Sequence, residues 1–185
     1  QTAAGLRNDD ALALLGQCSL ALDYVEVNPF AFAPAIAPHL AAREAAVELS
    51  VARLRPAVQQ VLARGADFTL VEGAGGWLAP LTDRETIADL ARLLDFPVLM
   101  VVGLKLGCLN HAQLTWNAVA ASGCRRAGWI ANRIDPTMAA ADANLQTLSE
   151  RLGEAPLATI PHGASPAARR TALDSAASRL CNVSL

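Results

Sequence analysis

Apolar positions first settle into a clear period at Val51, Leu54, Val58, Val61 and Leu62, the spacing of one face of a helix, and "RGAD" follows, where Gly65 can stop it. The short apolar run "FTLV", Phe68–Val71, then reads as a strand that ends at Glu72. Residues 85–94 return to helical texture. "PVLMVVG", residues 97–103, is a continuous apolar run of the kind that suits a strand covered on both faces. The alternation repeats: residues 110–122 read as helix, "AGWIAN" (127–132) as strand, residues 139–152 as helix, and "LATI" (157–160) as strand before Pro161. Helices and strands that alternate in this way predict an α/β fold, a mostly parallel sheet with helices on both faces. The N-terminal part is less regular, with a short helix around Asp9–Leu15, a Pro- and Ala-rich crossing "NPFAFAPAIAPHLAA", and, at the far end, one helix in the tail from Ser165.

Composition narrows the class. With 185 residues, 53% of them apolar, there is material for one sizeable core, so a single α/β domain over residues 1–185 is expected. Fifteen Lys and Arg stand against 17 Asp and Glu, a formal charge of -2, which builds in no attraction to nucleic acid or to an anionic membrane. The longest apolar stretch falls short of the roughly 20 residues that span a bilayer. Cys18, Cys108, Cys124 and Cys181 are far apart and form no C-x-x-C pair, which fits free thiols in a reducing, cytoplasmic compartment. The opening "QTAAGLRNDD" is unusual for an intact protein and reads as the start of a fragment.

Open α/β sheets bind ligands beyond the carboxyl ends of their strands, and three polar features fall there. Glu72 precedes Gly73, Ala74, Gly75 and Gly76, a pattern that suits a magnesium–phosphate site, because a hard cation wants oxygen ligands and phosphate needs close backbone approach. Equally open is a plain turn in which Glu72 caps a helix or pairs with an arginine; "GAGG" is neither a Walker A loop nor a G-x-G-x-x-G fingerprint. "GLKLGCLNH" places Gly107 and Asn110 where a strand gives way to a helix, so backbone N–H groups there can hold an anion such as a carboxylate, or Asn110 can simply cap its own helix. Asn132 closes the strand "AGWIAN". Asp9 and Asp10 lie at a helix start, where acids complement the dipole. Trp77, Trp116 and Trp129 read as packing residues.

Taken together, "GLRNDDALAL", "PHLAA", "LVEGAGGWLAPL", "VVGLKLGCLNHAQLT", "AGWIAN" and the late "IP" resemble the dethiobiotin synthetases, ATP-dependent enzymes of biotin synthesis, in order and spacing over nearly the whole chain. The resemblance implies a P-loop NTPase-like fold and a cytoplasmic homodimer with active sites at the subunit interface. It implies a reaction in which carbon dioxide and 7,8-diaminononanoate form a carbamate that ATP phosphorylates, with magnesium present, before a ureido ring closes. By motif, Asp10 and Glu72 become the magnesium-side carboxylates, and Gly73, Ala74 and Gly75 line the phosphate and substrate crevice. Leu106, Gly107, Cys108, Leu109 and Asn110 become the loop that holds the far carboxylate of the partner subunit's substrate. Asn132 and Arg133, with Pro161, His162 and Gly163, surround the adenine, and Pro38 borders the substrate chain.

The family begins with a strand, a "GTDTxVGKT"-like P-loop and a "KPV" segment. This chain opens after that point, so the first strand, the P-loop and the two lysines are expected to lie outside it. No catalytic residue is therefore assigned within the chain, which alone is expected to be inactive and poorly folded. "DPTMAAADANLQTL" carries Ala and Asn where some members place a tyrosine near the substrate carboxylate. Two other readings stay open from sequence: an ATP-dependent amidoligase acting on a cofactor precursor, and a non-catalytic dimerising P-loop-like module.

Overall fold

The computed structural model describes Gly5–Cys181. The chain falls into two compact units, one ending at Leu94 and the other beginning at Asp95.

The second unit carries the sheet. Strands β1 (Val98–Gly103), β2 (Arg126–Asn132) and β3 (Ala158–Ile160) lie side by side in that order, all parallel. Parallel neighbours need crossovers long enough to return the chain, and helices α6 (Cys108–Ala121) and α7 (Ala141–Leu152) supply them. Side chains alternate across the sheet as the period of two requires. Met100, Val102, Trp129 and Ala131 face α6 and α7, in a core shared with Cys108, Ala112, Trp116, Leu148 and Leu152. Leu99, Ile130 and Ala158 face the other way, onto Ala176 and Leu173 of α8 (Pro166–Cys181). Helices thus cover both faces, as the alternation predicts.

Trp129 is fully buried, and its indole N–H donates to the Glu154 carbonyl at 3.1 Å. Trp116 does the same to Leu152 O at 3.2 Å, so both rings pack as core residues and hold the end of α7. Register slips once, between Val98 and Leu99, where Ala127 has no partner opposite. Gly128, just after the slip, adopts φ +121°, and a Cβ there would sit 2.9 Å from Leu157 side-chain atoms.

The first unit is helical: α1 (Asp9–Gln17), α2 (Tyr24–Val27), α3 (Pro38–Glu44), α4 (Val51–Leu62) and α5 (Ile87–Leu94). Ala42, Leu49, Val51, Leu81 and Leu90 form its core, flanked by Phe30, Phe32, Leu54 and Ile87. Gly65 follows α4 with φ +74° and donates to Leu62 O at 3.0 Å, the stop that the sequence signals. The start of α5 is fixed by Asp89, whose carboxylate accepts from the Thr86 N–H (2.8 Å) and hydroxyl (2.9 Å). Those two bonds, with a smaller part from Arg92, hold its carboxyl below the usual aspartate range.

Two expectations are corrected. Phe68–Val71 forms no ladder: the segment has no strand beside it among the described residues, and Phe68 and Leu70 are 52% and 60% exposed. An apolar run specifies extended backbone, but only a lateral partner makes it a strand. β1 is an edge strand among the described residues and is only partly covered on its second face, Leu99 packing towards α8 while Val101 is 60% exposed.

Two measurements test this packing. Gly128→Ala puts a Cβ into a left-handed position against Leu157, so urea unfolding should show a loss of about 1–3 kcal/mol. Because Asp89 has a lowered folded pKa, its contribution is complete above the unfolded value of about 3.9 and disappears as pH falls through the lowered one. Asp89→Ala should therefore lower the urea midpoint at pH 7, by an amount that shrinks as the pH is taken down through the lowered folded value.

Candidate functional site

The carboxyl ends of the three strands frame a cleft of about 500 Å³ in the second unit. Backbone bonds extend the sheet to its rim: Leu104 N–H donates to Asn132 O at 2.7 Å and Arg133 N–H to Ile160 O at 3.0 Å. Leu104, Arg133 and His162 leave β1, β2 and β3 respectively to form one side, and the segment Asp135–Ala143 forms the other. Of the residues that the sequence assigns to the base, Arg133 and His162 thus line one cavity. Asn132 stands just before it at the end of β2, its amide without a partner among the described residues, and Pro161 and Gly163 flank His162 in the turn after β3.

Local bonding fixes the polar character of this cleft. His162 Nδ1 lies 3.2 Å from the Arg133 carbonyl, which can only accept, so Nδ1 carries a proton and donates it there. The Arg133 guanidinium is engaged by Asp142 in the first turn of α7. Asp135 Oδ1 accepts from both the hydroxyl and the N–H of Thr137, each at 2.8 Å. Those bonds, and secondarily the His162 charge, hold the Asp135 carboxyl below its usual range. Sequence reasoning missed Asp135, Pro136, Met138 and Asp142. The available signal was "DPT" directly after a strand, an aspartate-led turn beside the ligand edge; the reach from Arg133 to Asp142 has no sequence signature.

The loop after β1 is built around Gly107, which caps α6 with φ +92° and has no side chain to bond the helix. Asn110 lies in the first turn instead, so the reading of Asn110 as the cap is corrected. Cys108 N–H donates to Lys105 O at 3.0 Å and His111 N–H to Gly107 O at 3.2 Å. Leu109 and Asn110 keep N–H groups with no acceptor among the described residues, aimed out of a helix N-terminus. Cys108 is 3% exposed, its thiol committed to the core, while Leu106 is 94% exposed at the loop tip.

The first unit holds the remaining assigned residues. Asn8 caps α1 by accepting from Ala11 N–H at 2.9 Å, which leaves Asp10, exposed in the first turn, without an ion pair or side-chain hydrogen bond among the described residues. Pro38 opens α3. Glu72 is exposed and neither caps a helix nor pairs with an arginine among the described residues. Gly73 is small for a packing reason, since a Cβ there would lie 2.8 Å from Ile87 Cγ2. Gly75 takes φ +97°, and the turn after it is latched to the start of α5, Ile87 N–H donating to Ala79 O and Ala88 N–H to Trp77 O, both at 3.0 Å. Exposed Ala74 stands between the two glycines. Among the described residues no three His, Cys, Asp or Glu side chains gather as a metal cluster.

Comparison with known proteins places this geometry in a family. Residues 2–168 match the family described as "AAA domain". The chain is 61% identical over 175 residues to the ATP-dependent dethiobiotin synthetase BioD of Pseudomonas aeruginosa PAO1, a match covering 94% of this chain and 77% of that protein. It is 48% identical to the protein of the same name from Cellvibrio japonicus, over 87% of this chain and 70% of the relative. A third, from Chromohalobacter salexigens, is 49% identical over 91% and 75% of the two chains. These matches settle the family between the three readings open from sequence: the chain is an α/β member of the ATP-dependent dethiobiotin synthetases.

Proposed function

We propose that this protein makes dethiobiotin from 7,8-diaminononanoate and carbon dioxide at the expense of ATP. An amine of the substrate adds to carbon dioxide to give a carbamate, ATP phosphorylates the carbamate oxygen, and the second amine attacks the activated carbon. The ureido ring closes with loss of phosphate, leaving ADP. The observation that carries this reading is 61% identity over 94% of the chain to a relative named for ATP-dependent dethiobiotin synthesis.

Each assigned group has a task for which its chemistry suits it. Asp10 and Glu72 fit magnesium as exposed carboxylates without side-chain partners among the described residues, because this ion commonly takes one or two carboxylates plus phosphate oxygens and water. When bound, magnesium supplies charge neutralisation along the phosphates during transfer. Gly73, Ala74 and Gly75 line the phosphate and substrate crevice, with no side chain beyond a methyl to hold a ligand away. Asn132 bonds the edge of the adenine, and Arg133, Pro161, His162 and Gly163 flank it. Pro38 borders the aliphatic chain of the substrate. In a cytoplasmic homodimer, the loop Leu106–Asn110, with Gly107 and Cys108 shaping its turn, holds the far carboxylate of the substrate bound in the partner subunit. The N–H groups of Leu109 and Asn110 are the donors, and the α6 dipole favours the negative charge.

Labelled bicarbonate tests the reaction, using the protein at its natural length with diaminononanoate, magnesium and ATP. Acid-stable label should appear in dethiobiotin; a folded protein that incorporates none removes the proposed function. Asn132→Ala should raise the KM for ATP about tenfold with little change in kcat, the loss of a hydrogen bond made throughout the reaction. Glu72→Gln should lower kcat at least about tenfold and shift activity to higher magnesium concentration.

A further inference from the structure

Among the side chains that line the cleft at the ends of β1, β2 and β3, Asp135 has a carboxylate oxygen open to accept a hydrogen bond. Arg133, the cationic side chain of the cleft, is already paired with Asp142. His162 commits its Nδ1 proton to the Arg133 carbonyl. Asp135 uses Oδ1 for both Thr137 bonds, and its Oδ2 has no partner among the described residues. The remaining lining is apolar, chiefly Leu104, Pro136 and Met138, a surface suited to the faces of a flat ring.

We propose that Asp135 is a specificity-determining residue that accepts a hydrogen bond from the exocyclic amino group of a nucleotide base, so that the cleft takes amino-bearing bases and rejects their oxo analogues. This rests on the nucleotide reading of the cleft given above. An ionised carboxylate only accepts; facing a carbonyl oxygen, it sets two acceptors against each other and leaves both unpaired. The two Thr137 bonds fix the side-chain plane and keep the carboxyl ionised to low pH, so the acceptor is in place before a base arrives.

ATP and inosine triphosphate differ at this point, a 6-amino group against a 6-oxo group, and provide the test. With the natural-length protein, kcat/KM for dethiobiotin formation should favour ATP by roughly 10- to 100-fold. Asp135→Asn keeps an oxygen for Thr137 and offers an N–H donor in place of Oδ2, so the preference should collapse towards one, with ATP losing and inosine triphosphate gaining. Asp135→Ala should give the same collapse from the ATP side alone, which guards against one variant failing to fold. An unchanged ratio in the folded variants, or equal use of the two nucleotides by the wild type, overturns the proposal. Calorimetric binding of ADP and inosine diphosphate separates the two readings. Asp135-dependent discrimination in binding without any dethiobiotin formed upholds the residue's role and sinks the reaction; no binding of either nucleotide overturns both.

Discussion

The second unit depends on the burial of β2 between two helical layers. The crossovers that join parallel strands put helices on both faces of the sheet, and β2, flanked by β1 and β3, is covered from both sides. Here Trp129 and Ala131 are covered from one side by α6 and α7, and Ile130 from the other by α8. Removing apolar surface from water drives this arrangement, and the indole N–H of Trp129, bonded to Glu154, lets so large a ring enter without a stranded donor. Everything at the ligand edge inherits its position from that strand. Asn132 is the last residue of β2, Arg133 the next, and the backbone bonds from Leu104 and Arg133 carry the sheet's register into the rim of the cleft.

The glycines around Glu72 illustrate how packing and exposure share one stretch of chain. Gly73 is confined by Ile87, and the following turn is tied to the first N–H groups of α5, groups that a helix start leaves without internal partners. The loop is therefore anchored by the helix it precedes, while Glu72 and Ala74 remain exposed. A Gly-rich segment can thus be held firmly on one side and open on the other.

Much of this was legible in the sequence, for identifiable reasons. The runs 97–103, 127–132 and 157–160 became strands and the segments between them helices, since period and turn residues act locally. Phe68–Val71 looked equally strand-like and is not one, because pairing is a property of what lies alongside. Asn110 looked like a cap by residue type, yet Gly107 takes that place by reaching φ +92°, a conformation open to glycine at little cost. Arg133 and His162, which the motif assigns to the base, line one cleft, and Asp135 and Asp142 line it too without a motif to mark them. Their places there are set by the bonds of Thr137 and by the reach of a long arginine side chain, neither of which a linear pattern records.

The indole groups have a spectroscopic consequence. Trp116 and Trp129, 4% and 0% exposed, both belong to the core of the second unit. Their emission should be shifted to the blue and shielded from aqueous quenchers for as long as that core is intact. Trp77, half-buried in the loop after Glu72, reports instead on the first unit. The protein therefore carries an intrinsic fluorophore in each unit, and quenching with iodide can distinguish loosening of the Gly-rich loop from loss of the sheet without any label being attached.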